Sequence, residues 1–463
     1  MSPVANSTAF SGLNMHADLL ANLASLGYAE MTPVQTQSLP DILAGKDVIA
    51  QAKTGSGKTA AFGLGLLNKL DVKSSQIQAL VLCPTRELAD QVSKEIRRLA
   101  RRLPNIKVLS LCGGMPFGPQ AGSLEHGAHI IVGTPGRIED HLNRGTLRLK
   151  NVHMLVLDEA DRMLDMGFQT SVDTIVAQLP KWRQTLLFSA TFPDQIKAVV
   201  KRMMLKPVRV NVESTHDNST IAQHFYQVAD QKQCMTALRL LLLEHGPKSS
   251  LVFCNTKRET LDVTRELMQA GFGALVLNGD LEQWERDQTM VRFANKSITV
   301  LVATDVAARG LDIDALDAVF NFQLPHEPET YVHRIGRTGR AGSKGMAFTL
   351  HNGNEYQLTR LSDFIGHRIS SEPLPAISLL NRRPDKAPMA TLQIGGGKKQ
   401  KLRPGDILGA LTAGSGISGQ QVGKIHIFDH WSYVAVNRGS VKIALKKLGE
   451  GKLKGRSFRI RLI

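Results

Sequence analysis

Short β-branched and leucine-rich runs bounded by turn residues alternate with longer stretches of helical spacing. This alternation predicts parallel sheets assembled from strand–helix units. In the first half the predicted strands are Asp47–Ala50, Gln78–Cys83, Ile130–Val132, Met154–Leu157 and Thr185–Phe188. A second set follows at Ser250–Cys254, Ala274–Leu277, Thr299–Ala303, Ala318–Phe322 and Met346–Leu350. Each set suffices for one open sheet, so two α/β lobes are expected. Polar Lys206–Thr220 lies between them and reads as a linker. A second break falls around Ser370–Met389, where prolines interrupt the periodicity. The remainder reads as β-α-β-β-α-β, with strands near Thr391–Ile394, Lys424–Phe428, Ser432–Val436 and Phe458–Leu462 and helices near Pro404–Leu411 and Ser440–Leu448. The expected division is 1–208, a linker 209–220, 221–370, a linker 371–390, and 391–463.

Charge changes this picture most in the last segment. Of a formal net charge of +16, Thr391 to Ile463 carries +11, from fourteen Lys and Arg against three acids, leaving +5 for the preceding residues. A polyanionic partner is implied. The four cysteines are far apart and form no Cys/His cluster, which predicts reduced, buried thiols rather than a disulfide or zinc site. No secretory signal is visible at the N-terminus, and apolar runs such as Leu240 to Leu243 are too short to span a bilayer. A cytoplasmic protein with no membrane partner is expected.

The strongest local chemistry is Ala52-Lys53-Thr54-Gly55-Ser56-Gly57-Lys58-Thr59, after a strand and before an apolar helix. Glycines let backbone N–H groups face phosphate oxygens, the helix N-terminus favours the anion, Lys58 adds a point charge and Thr59 can ligate Mg²⁺. The strict pattern begins with glycine, so Ala52 is a slight relaxation. A phosphate-binding loop needs a metal carboxylate on a neighbouring strand, and Met154–Leu157 runs directly into Asp158-Glu159-Ala160-Asp161. Acids there sit at the carboxyl end of a strand, where open α/β sheets bind ligands. Asp158 would hold Mg²⁺ through water, and Glu159 would position the attacking water. An acidic helix cap is the plain alternative, and the phosphate loop outweighs it.

These four residues spell the name of the DEAD-box RNA helicases, and the chain resembles that family from Phe10 to His351. The resemblance implies two RecA-like lobes that close on ATP and RNA. Gly27-Tyr28 and Thr32-Pro33-Val34-Gln35, with Phe10 upstream, resemble the Q motif. The Gln35 amide can pair with the adenine N6/N7 edge, and Tyr28 or Phe10 can stack on the base, giving ATP over GTP. Core packing is the alternative for either ring. Pro84-Thr85-Arg86-Glu87-Leu88-Ala89, Gly113-Gly114 and Thr134-Pro135-Gly136-Arg137 resemble first-lobe RNA contacts, with arginines for phosphates and exposed N–H groups for the backbone. Ser189-Ala190-Thr191 resembles the motif coupling hydrolysis to unwinding, its hydroxyls able to bond the DEAD carboxylates. In the second lobe, His333-Arg334-Ile335-Gly336-Arg337-Thr338-Gly339-Arg340 implies that Arg337 and Arg340 are fingers for the γ-phosphate and that His333 links the lobes. Thr304 and Arg309 would face RNA or the DEAD turn, and Asp312 the ATP ribose. Two departures stand out: Asn278 where the family usually has His, and Trp284 where a basic residue is common.

By order of elements the last segment resembles an RNA-recognition (RRM-like) α+β fold, so its net charge supplies salt-sensitive phosphate affinity. Tyr433 and nearby Trp431 are its expected stacking residues. The first strand offers only Leu392 and Ile394, so the usual aromatic platform is incomplete. Leu402–Leu408 and Gly423–His430 resemble the tail of the bacterial DbpA subfamily. That kinship implies binding to a 23S ribosomal RNA hairpin near the peptidyl-transferase centre and a role on pre-50S particles. A DNA translocase is disfavoured by the Q motif and the RNA-type tail, so no DNA partner is expected. A non-hydrolysing RNA clamp is disfavoured by the joint presence of Lys58, Glu159 and Arg337.

Overall fold

The computed structural model describes residues 8–52, 55–212, 221–308, 316–339, 344–414 and 416–463. Two compact units result, the N-terminal one holding one sheet and the C-terminal one holding two. Lys53, Thr54, Arg309, Asp312 and Arg340, all expected site residues, lie outside the described residues, as do residues 213–220 of the expected linker.

The first sheet comprises β1 (Val48–Gln51), β2 (Ala79–Leu82), β3 (Val108–Leu111), β4 (Ile130–Gly133), β5 (Met154–Asp158), β6 (Gln184–Ser189) and β7 (Val208–Asn211). All pairs are parallel, in the order β3-β4-β2-β5-β6-β1-β7. Helices cover both faces over two separate cores, which is why the central strands are continuous apolar runs. Two strands were not foreseen. β3 and β7 are the sheet edges, only partly buried, and their mixed sequences Val-Leu-Ser-Leu and Val-Arg-Val-Asn lack the apolar run of a central strand. The residues read as the start of a linker thus contain β7, paired with β1.

The second sheet comprises β8 (Ile221–Gln227), β9 (Ser250–Cys254), β10 (Ala274–Leu277), β11 (Val300–Thr304), β12 (Ala318–Asn321) and β13 (Gly345–His351), again all parallel, in the order β10-β11-β9-β12-β13-β8. Here too the unforeseen strand, β8, is an edge. The third sheet is antiparallel: β14 (Met389–Ile394), β15 (Val422–Ile427), β16 (Ser432–Asn437) and β17 (Ile460–Leu462), in the order β15-β16-β14-β17. Helices Pro404–Thr412 and Val441–Glu450 complete the expected β-α-β-β-α-β order and bury Leu392, Ile394, Val434 and Val436 beneath them.

The proline-rich segment before β14 is not a free leash. Ser371 bridges to Phe225 of β8, and Glu372 N–H donates to the Phe225 carbonyl (2.8 Å). The Glu372 carboxylate takes hydrogen bonds from His224 Nδ1 (2.9 Å) and the Tyr226 hydroxyl (3.1 Å). Leu374 and Leu380 pack on the second-lobe core. The outer face of the third sheet is covered as well. Asn295 Nδ2 donates to Thr391 Oγ1 (3.1 Å), Ser297 Oγ pairs with the same hydroxyl (2.8 Å), and Met389 N–H reaches the Lys296 carbonyl (3.3 Å). The second lobe and the basic tail therefore share a packed seam.

All four cysteines are free and buried, as their spacing predicts. Burial raises the Cys112 thiol to about 12, which makes it inert. Among the described residues no helix is long and apolar enough to cross a membrane.

Candidate functional site

The carboxyl edge of the first sheet gathers nearly every first-unit residue singled out in the sequence. The turns after β1, β5 and β6 carry the phosphate loop, the acidic turn and Ser189–Thr191. The turns after β2, β4 and β3 carry Thr85-Arg86, Thr134–Arg137 and Gly113-Gly114. Strand order thus divides the edge into two blocks, with the border between β2 and β5.

Lys58 opens the helix Lys58–Lys69, preceded by Gly57 in the left-handed region (φ +95°). A side chain at Gly57 is excluded twice: the backbone angle is unfavourable, and a Cβ there would meet Gln35 Nε2 at 2.5 Å and Thr32 Oγ1 at 2.8 Å. Gln35 is buried and spans two elements. Its Oε1 accepts from Thr32 N–H (2.9 Å), capping the helix Pro33–Leu43, and its Nε2 donates to the Gly57 carbonyl (3.0 Å). An amide has a second N–H and a second lone pair beyond these two bonds. Lys58 Nζ is buried and donates to the Ala52 carbonyl (2.9 Å). Ser56 and Thr59 stand beside it in the turn and the first helical turn.

Phe10 corrects an expectation. Its ring is buried in the core and meets Tyr28 edge-on (6.1 Å between centroids), so it offers no face to a base. Tyr28 is engaged as well: its hydroxyl donates to Glu95 (2.6 Å) and the Arg98 guanidinium lies 5.6 Å from its ring. Burial and the Glu95 carboxylate raise its phenol to about 12. Packing accounts for the Phe10 ring, while Tyr28, only partly buried, is held by Glu95 and Arg98 of helix Arg86–Leu99.

Asp158 ends β5 fully enclosed. Burial lifts its carboxyl to about 7, against the pull of Lys58, and its Oδ1 has no hydrogen-bond partner among the described residues. An unpaired buried carboxylate oxygen beside a phosphate loop fits a hard divalent cation, whose charge would restore the ionised form. Glu159 occupies the left-handed region (φ +53°, ψ +52°), a conformation that costs a non-glycine residue roughly 1–2 kcal/mol. Such strain is kept at functional turns. Its carboxylate accepts from buried Arg162 NH1 (2.8 Å). Asp161 is tied to the Ser189–Thr191 turn. Its Oδ2 accepts from Ala190 N–H (3.2 Å), Thr191 N–H (2.9 Å) and the Thr191 hydroxyl (2.9 Å). Burial pushes this carboxyl up, but the Thr191 bonds outweigh it and hold the group below its ordinary value. Of the two hydroxyls expected on the acids, Thr191 reaches a carboxylate. Ser189 Oγ instead accepts from Asp161 N–H (3.3 Å) and donates to the Thr191 carbonyl (2.7 Å).

In the other block Thr85 Oγ1 caps helix Arg86–Leu99 by accepting from Leu88 N–H (3.3 Å), with Pro84 just before it. Arg86 NH1 is buried without a partner among the described residues. Pro135 and Gly136 open the next helix after Thr134, and Gly114 turns in the left-handed region. Arg137 donates to the Met115 carbonyl (2.9 Å), which ties two of these loops together.

In the second unit, Thr304 Oγ1 caps the short helix Asp305–Ala308 (3.4 Å from Ala307 N–H). His333 and Arg337 lie at the end of helix Pro328–Ile335 and just after it, and the Thr338 hydroxyl donates to the Leu316 carbonyl. Sequence reasoning missed Arg334. It is 1% exposed and uses its whole guanidinium: Nε and NH2 fork onto Asp305 (2.7 Å each), NH2 also reaches Asn255 (2.7 Å), and NH1 reaches Asn321 (3.3 Å) and the Gln323 carbonyl (3.0 Å). Its spacing from Tyr331 and Ile335, on one helical face, was the available signal.

The tail corrects the second expectation. Tyr433 is fully buried, facing Gln288 and Asp287 of helix Gln283–Ala294, so no base can stack on it. Trp431, at the β15–β16 turn, is half-buried and its indole N–H has no acceptor among the described residues.

Comparison with known proteins agrees with this arrangement. Residues 32–199 match the DEAD/DEAH box helicase family, 232–342 the helicase conserved C-terminal domain, and 391–462 the DbpA RNA binding domain. The chain is 53% identical over 458 residues to the ATP-dependent RNA helicase DbpA of Escherichia coli, covering 98% of this chain and 100% of that one. It is 46% identical to the DEAD-box ATP-dependent RNA helicase CshA of Bacillus subtilis, over 76% of this chain and 71% of the relative. Among solved structures, S. cerevisiae Dbp5 bound to RNA and ADP BeF3 matches with a TM-score of 0.70 at 30% identity, over 78% of this chain and 96% of that one.

Proposed function

Since the chain belongs to the DEAD-box family of ATP-dependent RNA helicases and carries a DbpA RNA-binding domain, we propose that it remodels one address. That address is a 23S ribosomal RNA hairpin near the peptidyl-transferase centre, within pre-50S particles of the cytoplasm. The observation that carries this address is the 53% identity to E. coli DbpA, which runs through the basic tail.

In this reading residues 1–208 and 221–370 are the motor lobes and 391–463 the RNA-binding domain. Gln35 reads the adenine edge, and the 52–59 loop with Lys58 and Thr59 holds the phosphates. Thr59 and Asp158 would hold Mg²⁺, which neutralises phosphate charge when bound. Glu159 orients the attacking water, Arg337 and Arg340 serve as arginine fingers, Asp312 meets the ribose, and His333 with Ser189 and Thr191 couples hydrolysis to RNA. Arg86, Arg137, Thr304, Arg309 and the loops around them track the RNA backbone. Trp431 remains an RNA contact; Tyr433 does not. The packed seam supports a further refinement. RNA held by the tail is presented at a fixed offset from the second lobe, not at the end of a flexible tether.

ATPase assays with a 23S fragment containing the hairpin, against poly(A) and DNA, test the reading. Strongest stimulation by the fragment is expected; equal stimulation by DNA would overturn it. Deleting residues 391–463 is expected to keep stimulation by generic RNA at high concentration and to erase the preference for the fragment. Gln35→Ala removes a helix cap worth about 1 kcal/mol together with the tie to Gly57. Its expected result is a raised KM for ATP and loss of discrimination against GTP, read from paired ATP and GTP kinetics.

A further inference from the structure

The outer face of the third sheet, the surface on which RNA-recognition folds usually stack bases, is occupied by the second lobe. Helix Gln283–Ala294 runs along β16 in the same direction. Asn295, just past the helix, bonds Thr391, the cross-strand partner of Ala435, and Gln288 faces Tyr433. One turn earlier along the helix stands Trp284, and one outward-facing position earlier along the strand stands Trp431. Both indoles therefore fall at the same end of the seam. Trp284 is 48% exposed, unusual for so large a ring, and it occupies the position where the sequence departs from the family's basic residue. Trp431 is half-buried, with its indole N–H enclosed and part of the ring left open.

Carboxylates flank the start of the helix, so stacking on the rings, not phosphate attraction, is what this end offers. Glu282 and Glu285 are tied to the start of the helix, where Glu282 N–H donates to Glu285 (2.9 Å), and Asp287 accepts from Gln283 (2.8 Å). Arg461 is exposed and bonds Gln393 beside Tyr433, which places a cation on the same border.

We propose that Trp284 and Trp431 are two walls of a composite site for an unpaired RNA base, in the strand that passes between the tail and the second lobe. Stacking on indole suits any base, since each has a π-face. The proposal rests on the reading that tail and motor engage one RNA.

Three tryptophans make the site directly observable in the full-length protein. Trp182, 88% exposed in the first unit, can be replaced by Phe. In W182F/W431F the emission reports Trp284 alone, and in W182F/W284F it reports Trp431. A stem-loop RNA with a single-stranded extension is expected to quench both; the same stem-loop without the extension leaves Trp284 unquenched. Trp284→Ala is expected to weaken binding of the extended RNA about tenfold, and Trp284→Phe to restore most of it. Trp284 emission unmoved by extended RNA that still stimulates ATP turnover overturns the proposal. So does a Trp284→Ala variant that binds that RNA as tightly as the parent. Loss of RNA-stimulated turnover in the parent protein would instead overturn the helicase reading beneath it.

Discussion

Glu159→Gln is expected to lower RNA-stimulated ATP turnover by ~10²–10⁴-fold, the range spanned by a positioned general base, while ATP and RNA still bind. The substitution is nearly isosteric. The amide oxygen can keep the hydrogen bond from Arg162 NH1 (2.8 Å in the parent), and the left-handed backbone at residue 159 is unchanged. Only the negative charge that would orient and polarise water is lost. Phosphate release at saturating RNA, measured beside binding of a fluorescent ATP analogue, separates the two effects. Turnover at the parental level would remove Glu159 from the chemistry and leave it an ion-pair partner of Arg162.

Arg334→Ala is expected to destabilise the second unit by about 3 kcal/mol, the lower end for breaking a buried ion pair. The lower end applies because Asp305 is about a quarter exposed, whereas Arg334 is not. Removing the guanidinium strands Asp305 and Asn255 and uncouples helix Pro328–Ile335 from the strand ends that carry Asn255, Asp305 and Asn321. Arg334→Lys keeps the charge but not the fork, and should fall between. Urea unfolding of the three proteins makes the comparison. A change below ~1 kcal/mol for Ala, the size typical of exposed ion pairs, would mean the network is not holding the segment.

The central strands were legible because each is buried on both faces and reads as an unbroken apolar run, as in Leu80-Val81-Leu82 and Leu251-Val252-Phe253. The edges β3, β7 and β8 were not, since a half-solvated strand mixes polar residues into its pattern. The site residues of the first unit were legible as motifs, because backbone turns and phosphate chemistry leave few residue choices. What local sequence could not reveal was who covers whom. Phe10 and Tyr433 are aromatic residues that look available along the chain; Phe10 is taken into the first-unit core beside Tyr28, and Tyr433 is covered by helix Gln283–Ala294 at the seam. Arg334 is the converse. Its partners lie between 11 and 79 residues away, so its burial is a tertiary fact.

The division of the first sheet's carboxyl edge has a consequence for engineering. Leu82 and Leu157 are register partners across β2 and β5, so the line between the two sets of turns is a ladder of backbone hydrogen bonds indifferent to side-chain identity. An exchange confined to the turns after β3, β4 and β2, with the strands and helix Arg86–Leu99 kept, would leave that ladder and the Tyr28 contacts in place. The recipient would acquire a new grip on its polymer while its fuel chemistry stays native.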